Sequence, residues 1–157
     1  MKRVAFCDRE MPQIQFGNPE EYSNDVKRLE HNIEIMERLG EKYDILQYSR
    51  FNVHRIRKNY PIDAIITHLN KLSAVREDTS GAELSDLKLM HKEFPEMRII
   101  LYTDWDYHLE ESLRQYGSPY NKYKIYGVNK LILRKNYPES RQEELEDILD
   151  ILESVLK

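Results

Sequence analysis

Hydrophobic residues in this chain recur with two different periods. Short continuous apolar runs, bounded by polar or turn-forming residues, are typical of strands that are buried on both faces. Longer stretches place an apolar residue at every third or fourth position, which is the spacing of one helix face. The pattern predicts five strands, at residues 4–7, 43–48, 62–68, 98–103 and 128–133.

Each predicted strand is followed by a predicted helix. The first helix begins at Asn18-Pro19 or at Ser23 and ends at Gly40, because amide and hydroxyl side chains cap a helix and glycine ends one. The second begins at a Ser49 cap and ends before Asn59. The apolar face predicted for the first helix consists of Tyr22, Val26, Leu29, Ile33 and Met36.

The last three predicted helices have clear start and stop signals. Ser80-Gly81-Ala82-Glu83 and Ser140-Arg141-Gln142-Glu143 have the pattern of capping boxes. The third helix turns Leu84, Leu87 and either Met90 or His91 inward and finishes at Phe94-Pro95. Between them, a fourth helix begins at Asp104 or Asp106 and ends at a left-handed Gly117. The inner face of the fifth consists of Leu145, Ile148, Leu149, Leu152, Val155 and Leu156.

Five strand–helix units in succession predict a single α/β domain over residues 1–157. Units joined in this way form a parallel sheet with right-handed crossovers and helices on both faces. The length and strand count favour the flavodoxin-like strand order 2-1-3-4-5, in which ligands lie outside the carboxyl ends of the strands. The third strand is then central, and its last residue, His68, is the first candidate for a functional site.

The composition indicates a folded protein without internal cross-links. Cys7 is the only cysteine, which excludes an intrachain disulfide and a cysteine-based zinc site. It is expected to be a buried thiol, and we predict no cofactor and no bound metal. No apolar run approaches the ~20 residues of a membrane span, and the amino terminus lacks a signal-peptide core. A cytoplasmic location is therefore expected.

The charges are distributed unevenly. The net charge is −4, which disfavours general binding to nucleic acid. Residues 112–138 contain no acid, whereas the predicted outer face of the last helix is rich in acids, which are Glu139, Glu143, Glu144, Glu146, Asp147, Asp150 and Glu153. This face is either a solvated surface or the partner of the basic region 114–135 in a second copy, which would give an isologous dimer.

The strand ends resemble those of the receiver domains of bacterial and archaeal response regulators over nearly the whole chain. The matching stretches are Val4–Glu10, Asp63–His68, Ile99–Thr103 and Gly127–Lys135. Receivers have acids after the first strand and a phosphate-accepting aspartate at the end of the third. A threonine or serine ends their fourth strand, and a lysine ends the fifth.

The resemblance implies a receiver without the phosphorylation switch. Asp8 and Thr103 match the pattern, and Glu10 belongs to the same acidic stretch. In contrast, Arg9 stands where the second metal-binding acid is expected and His68 where the acceptor is expected, and Arg134 or Lys135 takes the place of the lysine. An arginine opposes a divalent cation, and histidine cannot form an aspartyl phosphate. We therefore expect a pseudo-receiver that works in regulation by binding another protein.

Three other readings stay open. A small hydrolytic or nucleotide-related enzyme would use Asp8, His68 and Thr103, although the sequence has no glycine-rich phosphate loop or nucleophile elbow. A metal site would use Asp8 and His68 with Asp104 and His108. Otherwise His68 is a partly buried histidine that forms a hydrogen bond with Asp8 or Thr103.

The stretch 116–127 has no clear period and is predicted to be a loop. Its aromatic and basic residues are interleaved, as in surfaces that stack on single-stranded nucleic acid. The alternatives are a surface that binds a partner protein, since tyrosine is favoured in interfaces, or tyrosines packed on their own domain. The residues of this candidate surface are Tyr116, Tyr120, Lys122, Tyr123, Lys124 and Tyr126.

Overall fold

The computed structural model describes residues 1–8, 26–70, 81–103, 111, 114–115, 117, 123–133 and 141–157. In these residues five strands form one parallel sheet in the order β2-β1-β3-β4-β5. The strands are β1 (Arg3–Cys7), β2 (Asp44–Tyr48), β3 (Ala64–Thr67), β4 (Arg98–Thr103) and β5 (Val128–Leu133). The predicted fold class, strand order and strand positions are confirmed.

Four α-helices and a short 3-10 helix with described bounds accompany the sheet, and Glu111, Arg114 and Gln115 are also helical. The α-helices are α1 (Val26–Gly40), α2 (Val53–Asn59), α3 (Leu84–Glu93) and α4 (Arg141–Val155), and the 3-10 helix is Tyr123–Tyr126. The helix predicted at 104–117 falls largely outside these residues, but Gly117 has the predicted left-handed conformation, with φ of 73°. No helix in the described ranges is long and apolar enough to cross a membrane.

The two faces of the sheet are covered by different elements. Along β1, Val4 and Phe6 belong to the hydrophobic cluster of α1 and α4, whereas Ala5 and Cys7 belong to the cluster of α2, α3 and the 3-10 helix. This alternation follows from the period of two in a strand. All four residues of β3 are buried, so the central strand has no exposed face.

Two helix starts differ from the prediction. The α2 helix is capped by Asn52, whose side chain accepts a hydrogen bond from the Arg55 amide at 3.1 Å, and not by Ser49. The predicted capping box at Ser80–Glu83 is also wrong. Helix α3 begins later, with Glu83 at the cap position and without a side-chain cap, because the backbone of Ala82 pairs with Leu69.

The buried face of α1 differs in part from the predicted face. Leu29 is buried as expected, but the other fully buried apolar side chains that the structure describes in α1 are Ile35 and Leu39, and Ile33 and Met36 are only half-buried. The reason is that polar residues occupy part of this face, as described below. The predicted Tyr22 and the side chain of Val26 lie outside the described part of the chain. In α3 the alternative is settled in favour of Met90, which is buried, while His91 is exposed.

Strand β5 contains an irregularity at its start. Ile99 pairs with Val128 and Ile100 with Lys130, so Asn129 is the extra residue of a bulge in the ladder. Its side-chain oxygen accepts a hydrogen bond from the Ile99 amide at 2.8 Å. The side-chain oxygen of Asn129 therefore takes the place of a main-chain acceptor for the Ile99 amide, and this hydrogen bond stabilises the bulge.

Candidate functional site

Asp8, His68 and Thr103 lie at the carboxyl edge of the sheet. Phe6 pairs with Ile66, so the same register two residues later places Asp8 beside His68. Thr67 pairs with Leu101, and Thr103 ends the next strand. The sheet thus brings these three predicted site residues to adjacent strand ends.

All three side chains are buried. Asp8 and His68 are each 2% exposed and Thr103 is 0% exposed. The Asp8 amide donates to the Tyr48 carbonyl at 3.0 Å and so continues the β1–β2 ladder beyond Cys7. The Thr103 hydroxyl has no hydrogen-bond partner among the described residues. The hydrogen bond considered between His68 and Thr103 is therefore not formed.

The rest of the predicted site lies outside the described residues, namely Arg9, Glu10, Asp104, His108, Arg134 and Lys135. The metal site that would use Asp104 and His108 is accordingly untested. Among the residues that the structure does describe, no group of three or more His, Cys, Asp or Glu side chains could hold a metal ion.

Cys7 is a buried thiol beside this site, as predicted. Burial raises its pKa above the ordinary range, and the charge of Asp8 raises it further, while the Arg55 guanidinium lowers it less. That guanidinium lies 4.6 Å from the centre of the Tyr48 ring, and Tyr48 is the β2 partner of Cys7. Since the thiolate is the nucleophile, both the burial of Cys7 and the direction of its pKa shift disfavour reaction of this thiol in the folded protein.

Cys7 should not react with an aromatic disulfide reagent at pH 8 while the protein is folded. The same thiol should react at once in urea, where its pKa returns to about 8.5. The folded state holds the thiol proton more tightly than the unfolded state does. The contribution of the protonated Cys7 thiol to the free energy of unfolding is therefore complete while the pH stays below the pKa of the unfolded thiol, and it is lost as the pH rises above that pKa. Absorbance of the released thiolate measures the reaction, and full reaction of the native protein within the mixing time would contradict the prediction.

The candidate surface predicted in the stretch 116–127 is contradicted at one residue, Tyr123, and is only partly described. Tyr116, Tyr120 and Lys122 lie outside the described residues. Tyr123 is 0% exposed and belongs to the hydrophobic cluster of α2 and α3, so it cannot stack on a nucleic acid. Lys124 is exposed and Tyr126 is half-buried. The loop interpretation is also wrong for 123–126, which form the 3-10 helix.

A buried polar contact between α1 and α4 was not expected from the sequence. His31 Nε2 lies 3.4 Å from Glu144 Oε1, and both side chains are fully buried. The neighbouring Asn32 is also 0% exposed. The predicted acidic outer face of the last helix is therefore wrong for Glu144. No pattern in the sequence indicates this contact, because His31 and Asn32 do not belong to the predicted apolar face of the first helix.

Solved structures with this arrangement of strands and helices cover nearly the whole chain. One is a response regulator receiver domain protein (CheY-like) from Methanospirillum hungatei JF-1, with 20% identity, a TM-score of 0.54 and coverage of 98% of both chains. The chain has the receiver fold. A response regulator from Thermotoga maritima has 10% identity, a TM-score of 0.57 and coverage of 99% of this chain and 97% of its own.

A receiver domain protein from Clostridium thermocellum has 14% identity and a TM-score of 0.53, with coverage of 100% of both chains. At sequence identities this low, the comparison shows that the folds are alike and nothing further about this chain. No protein-family model and no curated protein matches the sequence. The expected receiver fold is confirmed, and the absence of phosphorylation stays a prediction.

Proposed function

We propose that this protein acts in regulation by binding another protein and that aspartyl phosphorylation does not switch it. The observation that carries the proposal is His68. It follows the central strand β3 of a receiver fold, where receivers have the phosphate-accepting aspartate. An imidazole cannot form an aspartyl phosphate, so the reaction that switches receivers has no acceptor at this position.

The charge near β1 supports the same conclusion. Phosphoryl transfer to a carboxylate needs a divalent cation, held by acidic side chains, to offset the charge of the incoming group. Asp8 follows β1, but the next residue in the sequence is Arg9. A guanidinium in place of a second carboxylate disfavours a cation there by Coulomb repulsion.

Burial argues against the small-enzyme alternative. Asp8 and His68 are each 2% exposed, whereas a general acid or base has to come within hydrogen-bond reach of its substrate. The nucleic-acid alternative is weakened in the same way, since Tyr123 packs in the core. No observation favours either of them over binding to a protein.

Exposed charge offers a surface for such a partner. Glu143, Glu146, Asp150 and Glu153 are exposed on α4, and Lys124 and Lys130 are exposed on the 3-10 helix and β5. The two surfaces have opposite sign and would fit each other in an isologous dimer. Sedimentation of the protein alone tests whether the partner is a second copy. A dimer held by these exposed charges should form at low salt and dissociate at high salt, because salt screens contacts between exposed charges. A protein that is monomeric at both salt concentrations would need another partner.

Incubation with acetyl phosphate and Mg²⁺ should leave the intact mass and the unfolding midpoint unchanged. The reason is that no carboxylate is present at position 68 to accept the phosphoryl group. A receiver domain with the complete acidic set serves as the positive control under the same conditions. A stable mass increase of one phosphoryl group on this protein, located on Asp8 or His68 by peptide mapping, would overturn the proposal.

A further inference from the structure

The exposed side chains of helix α2 are all basic. Ile56 is the buried residue of this helix, and its first and last residues are half-buried. The sequence around the helix has the same character, because residues 45–62 contain no acid in a chain whose net charge is −4. The exposed residues of α2 are His54, Arg55, Arg57 and Lys58.

Helix α3 lies beside α2 and adds to this charge. The Arg57 guanidinium donates to both carboxylate oxygens of Glu93, with distances of 2.6 Å from Nη2 to Oε1 and 2.8 Å from Nε to Oε2. Lys88 and Lys92 are also exposed on α3, and Glu93 is the one exposed acid within these two helices, which are described in full. Two further exposed acids flank α3 and belong to neither helix, and these are Glu83 and Glu96. The acid inside the positive surface is therefore already bound by an arginine.

Exposed apolar side chains border the Arg57–Glu93 pair. Tyr60 directly follows α2, and its ring stacks on the ring of Phe94 with a centroid distance of 4.1 Å and an interplanar angle of 18°. Tyr60 is nevertheless 38% exposed, and Leu89 is 40% exposed. Leu89 lies on the same side of α3 as Glu93, because residues four apart are neighbours on a helix. The surface thus combines positive charge with two apolar side chains.

We propose that the exposed sides of α2 and α3, together with Tyr60, form a docking surface for an acidic segment of a partner protein that also carries apolar residues. We call this the α2–α3 surface. The inference rests on the proposed function and names the surface and the chemistry of the partner. Arginine suits a carboxylate because the planar fork of its donors matches two oxygens. The Arg55 guanidinium lies over the Tyr48 ring at 4.6 Å, and this stacking holds the group while its donors stay in its own plane.

A protein segment fits the α2–α3 surface better than a nucleic acid does. The net charge of −4 disfavours a long polyanion near the molecule as a whole, whereas a short acidic segment meets only the local positive charge. One face of the Tyr60 ring is taken by Phe94 and is not offered to a base. Exposed tyrosine beside arginine is instead typical of protein interfaces, where both residues are enriched.

A second copy of this chain is the occupant that has to be separated from such a partner. Helix α4 carries exposed acids, but α2 and α4 belong to the hydrophobic clusters on opposite faces of the sheet. A contact between α2 of one copy and α4 of another would join two different surfaces, and such contacts continue from copy to copy. Self-association at the α2–α3 surface would therefore be open-ended.

Fluorescence anisotropy with the intact protein and a labelled synthetic peptide tests the α2–α3 surface. The probe is an amphipathic peptide whose polar positions are glutamate and whose apolar positions are leucine, and a peptide with lysine in place of glutamate is its control. Lys58→Glu/Lys92→Glu should weaken binding of the acidic peptide at least about tenfold, because it reverses two charges beside the Arg57–Glu93 pair. Lys124→Glu/Lys130→Glu is the matched control, since it changes the net charge equally on exposed lysines outside α2 and α3, and it should weaken binding by no more than about twofold.

Equal weakening by the two double variants would overturn the inference, because binding would then follow net charge alone. The same holds if the wild-type protein binds the acidic peptide no more tightly than the lysine peptide, or if a labelled single-stranded oligonucleotide binds as tightly as the acidic peptide. All four lysines are exposed, so both variants should keep the unfolding midpoint of the wild type. If charge reversal prevents folding, Lys58→Gln/Lys92→Gln and Lys124→Gln/Lys130→Gln provide the same comparison.

Sedimentation separates the second copy from another partner. Open-ended association of the wild type at low salt that Lys58→Glu/Lys92→Glu abolishes would assign the surface to α4 of a second copy and would refute docking of a separate protein. The acetyl phosphate experiment is independent of peptide binding. Failure of specific peptide binding without a phosphoryl adduct would remove this inference and leave the proposed function standing, and specific binding with a stable phosphoryl adduct would do the opposite.

Discussion

Replacing His31 with leucine should lower the free energy of unfolding by about 1 to 3 kcal/mol, the usual loss when one member of a buried polar contact is removed. The Glu144 carboxyl group would stay in the fully buried space between α1 and α4 without the imidazole that now lies 3.4 Å away. Urea denaturation followed by circular dichroism measures the change.

Two further variants separate the loss of the pair from the loss of a histidine. His54→Leu, on the exposed side of α2, should change the stability by no more than about 0.5 kcal/mol. The double variant His31→Leu/Glu144→Leu should recover much of the loss, because replacing both members of a buried polar contact by apolar groups of similar shape can be nearly neutral. If His31→Leu alone costs less than about 1 kcal/mol, the pair behaves like a surface salt bridge and its structural role is refuted.

Replacing Tyr123 with alanine should also destabilise the protein strongly, by about 3 to 5 kcal/mol, as expected for a large aromatic residue lost from a core. The Tyr123 side chain is fully buried. It belongs to the same hydrophobic cluster as Met90 of α3 and Val128 of β5. The measurement is the urea unfolding midpoint together with the slope of the transition.

Ile125 is the matched control for this prediction, because it lies in the same 3-10 helix but is 70% exposed. Ile125→Ala should stay within about 0.5 kcal/mol of the wild type. Equal and small effects of the two substitutions would mean that the 3-10 helix does not anchor the core. Tyr123 would then again be a candidate for the predicted surface.

The sequence predicts the sheet of this protein well because its strands are apolar runs with sharp polar limits. Arg98–Thr103 and Val128–Leu133 were predicted to the residue. The helix starts were less predictable. Ser80–Glu83 has the sequence pattern of a capping box. The backbone of Ala82 nevertheless forms a β-bridge with Leu69, which is thirteen residues away in the chain. Local patterns do not contain that information.

The candidate site was predictable in position but not in surroundings. The end of the central strand follows from strand order, so His68 could be placed at the carboxyl edge in advance. Its nearly complete burial was not predicted, and neither was the close approach of Gly81, which the capping-box interpretation assigned to a helix. His31 and Glu144 were missed because polar residues in a helix normally indicate its solvent face. Only the packing of α1 against α4 makes them neighbours.

The bulge at Asn129 has a consequence for how copies of this protein can associate. Strand β5 is an edge of the sheet, and edges with free main-chain groups tend to recruit a strand from another molecule. Here the bulge interrupts the regular ladder, and Lys130 next to it is exposed, so a foreign strand would meet an uneven backbone and a positive charge. Both features disfavour an added strand at this edge, so we expect association at this side of the domain to use side-chain contacts instead of a continued sheet.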